Sequence, residues 1–183
     1  MKILIIGNGF DLAHDLPTKY YDFLKVCKAS KAYRVFWDEK NPELFPEDIN
    51  ENPEGEQSLY AFCQYVGADK YDVFRNIVKD SFWINHFIER EKQMGDTWGG
   101  FEEEIRRVVM ILNNEKLETT DGVYRKSSLR NLYRFINDKK LSRISYKRLF
   151  QLLLEDHKSL LMAMDIYFGC YVDNIEVEVY VLI

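Results

Sequence analysis

Ile3-Leu4-Ile5-Ile6-Gly7-Asn8-Gly9-Phe10-Asp11-Leu12-Ala13-His14-Asp15-Leu16-Pro17-Thr18 is the stretch on which the reading of this chain turns. Lys2–Ile6 is short, continuous and β-branched, the pattern of a buried strand, and Gly7 stops it. Two glycines spaced G-x-G then lead toward a helix. Glycine permits a tight turn and a close approach of phosphate, and a helix N-terminus adds partial positive charge. The third glycine of G-x-G-x-x-G is replaced by Leu12, with the small Ala13 beside it. The segment therefore predicts a nucleotide-binding strand–loop–helix over residues 1–40. Its competing reading is a plain glycine turn after an edge strand.

Working outward, Tyr20, Tyr21, Phe23, Leu24 and Cys27 recur at helical spacing and predict a helix to about Tyr33. Residues 41–57 hold Pro42, Pro46, Pro53 and six acids, which reads as an exposed, mobile loop. Ser58–Val66, Tyr71–Lys92, Phe101–Leu112, Ser127–Ile136 and Tyr146–Tyr171 carry helical patterns, with a break at Gly95–Gly100. Ile175–Ile183 is rich in Val and Ile and reads as a strand. The order strand, many helices, strand predicts one α/β domain over 1–183. It would comprise a Rossmann-like parallel sheet of few strands and a large helical part over 58–172, closed by the 175–183 strand. A parallel sheet wants more strands than these, so the chain is expected to be incomplete at its C-terminus.

Composition narrows the class. The 183 residues are 46% hydrophobic and 30% charged, which is globular rather than disordered. No run reaches the roughly 18 apolar residues of a membrane span, and Ile3–Ile6 is too short for a signal-peptide core. A cytoplasmic protein with no membrane partner is expected. Cys27, Cys63 and Cys170 are odd in number and widely spaced, so no disulfide framework or metal site is read from them. Nine basic residues between Arg125 and Arg148 face one acid, Asp138, so on a chain of net charge −5 the remainder carries −13. Arg130, Arg134, Lys140, Arg143 and Lys147, interleaved with aromatics, could bind nucleic acid. The plainer reading is a solvated face paired with acids elsewhere.

The run Gly7–His14 followed by Leu16-Pro17-Thr18-Lys19-Tyr20-Tyr21-Asp22-Phe23-Leu24 resembles the opening signature of the AbiH-type bacteriophage abortive-infection family. Thr97-Trp98-Gly99-Gly100-Phe101-Glu102 is similar to that family's internal tryptophan–glutamate motif, and the 149–172 helix to its later amphipathic helix. The family's F-N-Y-T-type strand and histidine segment find no counterpart here. The same opening resembles the first nucleotide loop of sirtuin-like NAD-binding proteins through Gly7, Gly9, Leu16 and Pro17. Asn8, Asp11 and Asp15 depart from that pattern, and a carboxylate beside a pyrophosphate needs a metal, a hydroxyl or an N–H to engage it.

These resemblances imply phage defence through a nucleotide, with NAD or a related nucleotide as the ligand. Gly7, Asn8, Gly9, Phe10, Asp11, Pro17 and Trp98 would form the binding residues. If the chain is an enzyme, it is a nucleotide or NAD hydrolase with Asn8, Asp11, His14 and Glu102 as catalytic candidates. Each has an alternative. Asn8 could orient a ribose or simply tolerate positive φ. Asp11 could contact ligand or cap a helix. His14 could transfer protons or serve packing. Trp98 and Glu102 could line a pocket, or be a core indole and an exposed acid. No nucleophile elbow, Walker loop or H-E-x-x-H motif is present. The alternatives at the level of function are a non-catalytic nucleotide or nucleic-acid module, an oligomer included, and an inactive, truncated family member.

Overall fold

The structure, a computed structural model, describes residues 19–38, 40–47, 53–95, 100–114, 132, 135 and 145–175. The chain divides into two compact units: residues 1–76 with 162–183, and residues 77–161. The described elements are α1 (Tyr20–Ala32), β1 (Tyr33–Asp38), β2 (Asn41–Pro46), α2 (Pro53–Asp80), α3 (Phe82–Met94), α4 (Phe101–Asn114) and α5 (Tyr146–Cys170), followed by a 3₁₀ turn at Val172–Asn174.

The expectation of a Rossmann-like parallel sheet is overturned. The described residues are mostly helical, and their sheet is one antiparallel pair, β1 with β2, in register from Tyr33 opposite Pro46 to Asp38 opposite Asn41. So short a connection can join only antiparallel neighbours, because a parallel crossover needs about a dozen residues or more. The expected strand at 2–6 lies outside the described residues, as does the expected 175–183 strand except for Ile175.

The hairpin stands where a loop was expected. Prolines misled the reading of 41–46, since proline usually ends regular structure. In a two-stranded sheet each strand is an edge, where a missing N–H costs little. Burial follows the two-residue period of a strand. Tyr33 and Pro42 are buried on one face, while Arg34, Phe36, Glu43 and Phe45 are exposed on the other. The hairpin is closed by the Glu47 N–H donating to the Ala32 carbonyl at 2.7 Å. Arg34 and Arg75 both reach the Glu47 carboxylate, at 3.0 and 2.9 Å. The hydrogen bond from Arg34, with the charge of Arg75, holds that carboxyl below its usual range.

The helices agree more closely with their patterns. α1 ends at Ala32, one residue before the expected boundary. α2 begins within the segment read as a loop and runs to Asp80, but Gly67 breaks it with φ 73° and ψ 170°. Nothing crowds the position a Cβ would occupy there, so glycine is required by backbone conformation and not by space.

The first unit is packed around aromatic rings. Phe23 and Cys27 of α1, Phe62, Cys63 and Phe74 of α2, and Tyr167 of α5 are all fully buried. Phe62 lies 4.7 Å from Phe74 and 5.9 Å from Tyr167, ring centre to ring centre. Phe23 meets Tyr167 edge-on at 5.5 Å. Tyr33 donates to Glu56 at 3.3 Å, and Tyr71 shares a buried hydrogen bond with Ser30 at 3.5 Å, so two buried hydroxyls are satisfied. Burial pushes the Tyr71 hydroxyl up to about 12.

Phe62→Ala is expected to lower unfolding free energy by about 3–5 kcal/mol. Phe36→Ala, on the exposed face of the hairpin, should cost less than about 1 kcal/mol. Urea midpoints of the two variants check this. Equal losses would contradict the placement of the core.

Candidate functional site

Most residues singled out from sequence lie outside the described residues. Gly7, Asn8, Gly9, Phe10, Asp11, His14, Pro17 and Trp98 do, as do Arg130, Arg134, Lys140 and Arg143. Two are described. Glu102 is exposed in the first turn of α4, and Lys147 is exposed in the first turn of α5. What the structure gathers instead is a charged cluster inside the second unit.

The cluster begins with the start of α3. Its first N–H groups have no partner within the helix and must be satisfied from elsewhere. Ser81 is the N-cap, its Oγ accepting from the Ile84 N–H at 3.3 Å. Asp156 of α5 accepts from the Ser81 hydroxyl at 3.0 Å and from the Trp83 N–H at 2.9 Å. A carboxylate at a helix N-terminus is also favoured by the helix dipole. The Trp83 indole N–H donates to the Leu153 carbonyl at 3.0 Å, so the buried ring loses no hydrogen bond. These contacts fix the face that α3 presents.

That face carries His86 and Arg90, one turn apart. α4 opposes them with Glu104, which is only 4% exposed although it ends a run of three acids. His86 Nε2 lies 3.3 Å from Glu104 Oε2. Arg90 donates to Oε1 at 3.1 Å, and Arg107 Nε to Oε2 at 2.9 Å. Burial alone would raise the Glu104 carboxyl, but hydrogen bonds and charge from Arg107 and Arg90 outweigh it and hold the group below its ordinary range. An ionised carboxylate only accepts, so His86 Nε2 carries the proton in this pair. Burial lowers the His86 imidazole to about 4, against the pull of Glu104 and with help from Arg107 and Arg90. The ring is therefore neutral at pH 7, stacked on Phe82 at 5.4 Å.

Phe101 opens α4 and stacks on Phe87 at 4.2 Å. Gly100 precedes it at φ 96°, a conformation suited to glycine. The end of the Thr97–Glu102 motif is thus anchored by the Phe101 ring and by Glu104. With His86 and Glu104 at 2% and 4% exposure, the cluster has little solvent access. Its chemistry is orientation: one carboxylate neutralised by two guanidinium groups and one neutral imidazole.

Sequence reasoning missed Glu104 and His86. The signal was present in the period: Phe101, Glu104, Val108 and Leu112 are the buried positions of α4. A stripe chosen by hydrophobicity alone passes over Glu104 in favour of Ile105 and Val109, both of which are half-buried. Among the described residues no group of three His, Cys, Asp or Glu could hold a metal ion, and no helix is long and apolar enough to cross a membrane. A groove of about 570 Å³ in the first unit, lined by Pro42, Leu44, Phe45, Glu56 and Tyr60 among others, contains none of the sequence candidates.

Comparison with known proteins gives one match. A family model described as bacteriophage abortive infection AbiH covers residues 3–179. No curated protein and no solved structure matches the chain. The chain belongs to the bacteriophage abortive-infection AbiH family.

Two predictions follow from the cluster. Glu104→Ala leaves Arg90 and Arg107 without their buried counter-charge and should cost about 3–5 kcal/mol of stability. The pH dependence has a definite sign. His86 titrates near 6.5 when unfolded and near 4 when folded, so the unfolded chain binds the extra proton between those values. Stability is fully present above pH 6.5 and falls as pH drops toward 4, by on the order of 3 kcal/mol from this group. Glu104, its carboxyl held below the ordinary 4.5, adds a loss in the same direction at lower pH. Denaturant unfolding at pH 7.5, 6 and 5 measures the slope, and His86→Asn should flatten it whatever its absolute stability. An unchanged slope in that variant would contradict the neutral, buried imidazole.

Proposed function

We propose that this member of the AbiH family acts in phage defence through a nucleotide held at the Gly7–Asp11 loop. The observation that carries the reading is the family match over residues 3–179, which includes that loop and the Thr97–Glu102 motif. Gly7 and Gly9, separated by one residue, would allow backbone N–H groups to approach a pyrophosphate, and Phe10 and Pro17 would supply apolar walls. NAD or a related nucleotide is the ligand class. Trp98 offers an indole for stacking on base or sugar.

Turnover would break a glycosidic or phosphodiester bond of that nucleotide, depleting a metabolite that host and phage share. Such cleavage needs a group to move a proton and groups to stabilise developing charge. His14 is the proton-transfer candidate, Asn8 orients the ribose or the scissile bond, and Asp11 and Glu102 engage hydroxyls or the departing group. Glu102 supports this part of the reading by standing exposed in the first turn of α4, whereas Glu104, two residues on, is buried.

Thermal unfolding of the purified chain with NAD, ATP and ADP-ribose, each at about 1 mM, tests the proposal. A ligand at about 100 times its dissociation constant adds about 2.7 kcal/mol, a rise of roughly 5–11 °C at this size. At least one of the three should give that rise, and Gly9→Val should abolish it. No shift with any of them, or a shift that survives Gly9→Val, would sink the nucleotide loop.

A further inference from the structure

The three cysteines differ in their surroundings. Cys27 and Cys63 are buried, and burial pushes both thiols up, Cys63 to about 12. Neither is a nucleophile at neutral pH. Cys170, the last residue of α5, is partly exposed. It has a partner on another helix: Lys70 of α2 donates from Nζ to Cys170 Sγ at 3.1 Å, across 100 residues of sequence. The end of α5 is fixed where this happens, because the Asn174 side-chain amide donates to the Cys170 carbonyl at 3.0 Å and to the Gly169 carbonyl at 3.5 Å. A backbone-anchored thiol thus has an amine from a second helix at contact distance.

We propose that Lys70 and Cys170 are an oxidative modification site, at which one oxygen atom is inserted between Lys70 Nζ and Cys170 Sγ to give a covalent N–O–S link. Dioxygen is the oxidant. The amine and the thiol together give up four electrons, two from nitrogen and two from sulfur. One oxygen atom enters the bridge, and the other leaves as water, taking up one hydrogen from the amine and the one from the thiol. An N–H bond and the S–H bond break; an N–O and an O–S bond form. Without an amine at contact distance, an exposed thiol proceeds instead to sulfenic and sulfinic acids. The N–O–S bridge spans two bonds, so the pair needs only a small closing movement from its 3.1 Å contact.

The link has a structural consequence. Both residues belong to the first unit, which the chain leaves after Asn76 and re-enters at Met162. The bridge ties these outgoing and returning segments together and closes a loop of 100 residues, which restricts the unfolded chain as a disulfide of that span does. Oxidation would thus stabilise the first unit reversibly.

Intact-protein mass spectrometry of the full chain, held in air-saturated or in anaerobic buffer, tests the assignment. The aerated wild type should gain one oxygen and lose two hydrogens, and dithiothreitol should reverse the change. Proteolytic digestion should return a peptide pair joined through Lys70 and Cys170. Lys70→Arg and Cys170→Ser should each remain unlinked. The proposal is overturned by an unchanged mass, by a link that maps to any other pair, or by products with added oxygen alone that form equally in wild type and Lys70→Arg.

Discussion

The second unit is organised around a carboxylate taken out of water. An ionised Glu104 could not stay inside without compensation, because desolvating an unpaired charge costs several kcal/mol even after relaxation. Arg90 and Arg107 supply the opposite charge, and His86 supplies a neutral donor. Four side chains from two helices must then meet within hydrogen-bond distance. That requirement fixes how α3 and α4 face each other more tightly than apolar packing would, since apolar contacts tolerate rotation and hydrogen bonds do not. The Asp156 cap on Ser81 and Trp83 performs the same service between α3 and α5.

The first unit solves its packing differently. Its interior is built of rings from three helices, and the polar ends of Tyr33 and Tyr71 are returned to Glu56 and Ser30. The hairpin contributes one apolar face and leaves the other to solvent, with the Glu47 pair of arginines at its open end. Among the described residues, charge is kept at this unit's surface, whereas the second unit carries it inward. The Lys70–Cys170 contact is on the exterior of the first unit.

The helices were the most legible feature of the sequence. α1, α4 and α5 fall where apolar residues recur at three and four, because a helix that must bury one stripe writes that period into its composition. The break at Gly95–Gly100 was equally plain, glycine being required at φ 53° for Gly95 and 96° for Gly100. The hairpin was not legible. Its two prolines and flanking acids imitate a loop, and only pairing with β1 makes 41–46 a strand. Nor was the charged cluster, since Glu104 follows two exposed glutamates and only its place in the Phe101–Leu112 period sets it apart from them.

What the sequence determined by itself was family membership, through the Gly7–Leu24 and Thr97–Glu102 motifs and a match over 3–179, and the position of most helices. Both are written in local order: a motif is a string, and an amphipathic period needs only its own helix. Tertiary structure alone decided that the described sheet is an antiparallel pair, that Glu104 and not Glu102 goes inside, and that Lys70 meets Cys170. Each of these joins residues distant along the chain or on different elements. Their chemistry arises from proximity, which no single segment encodes.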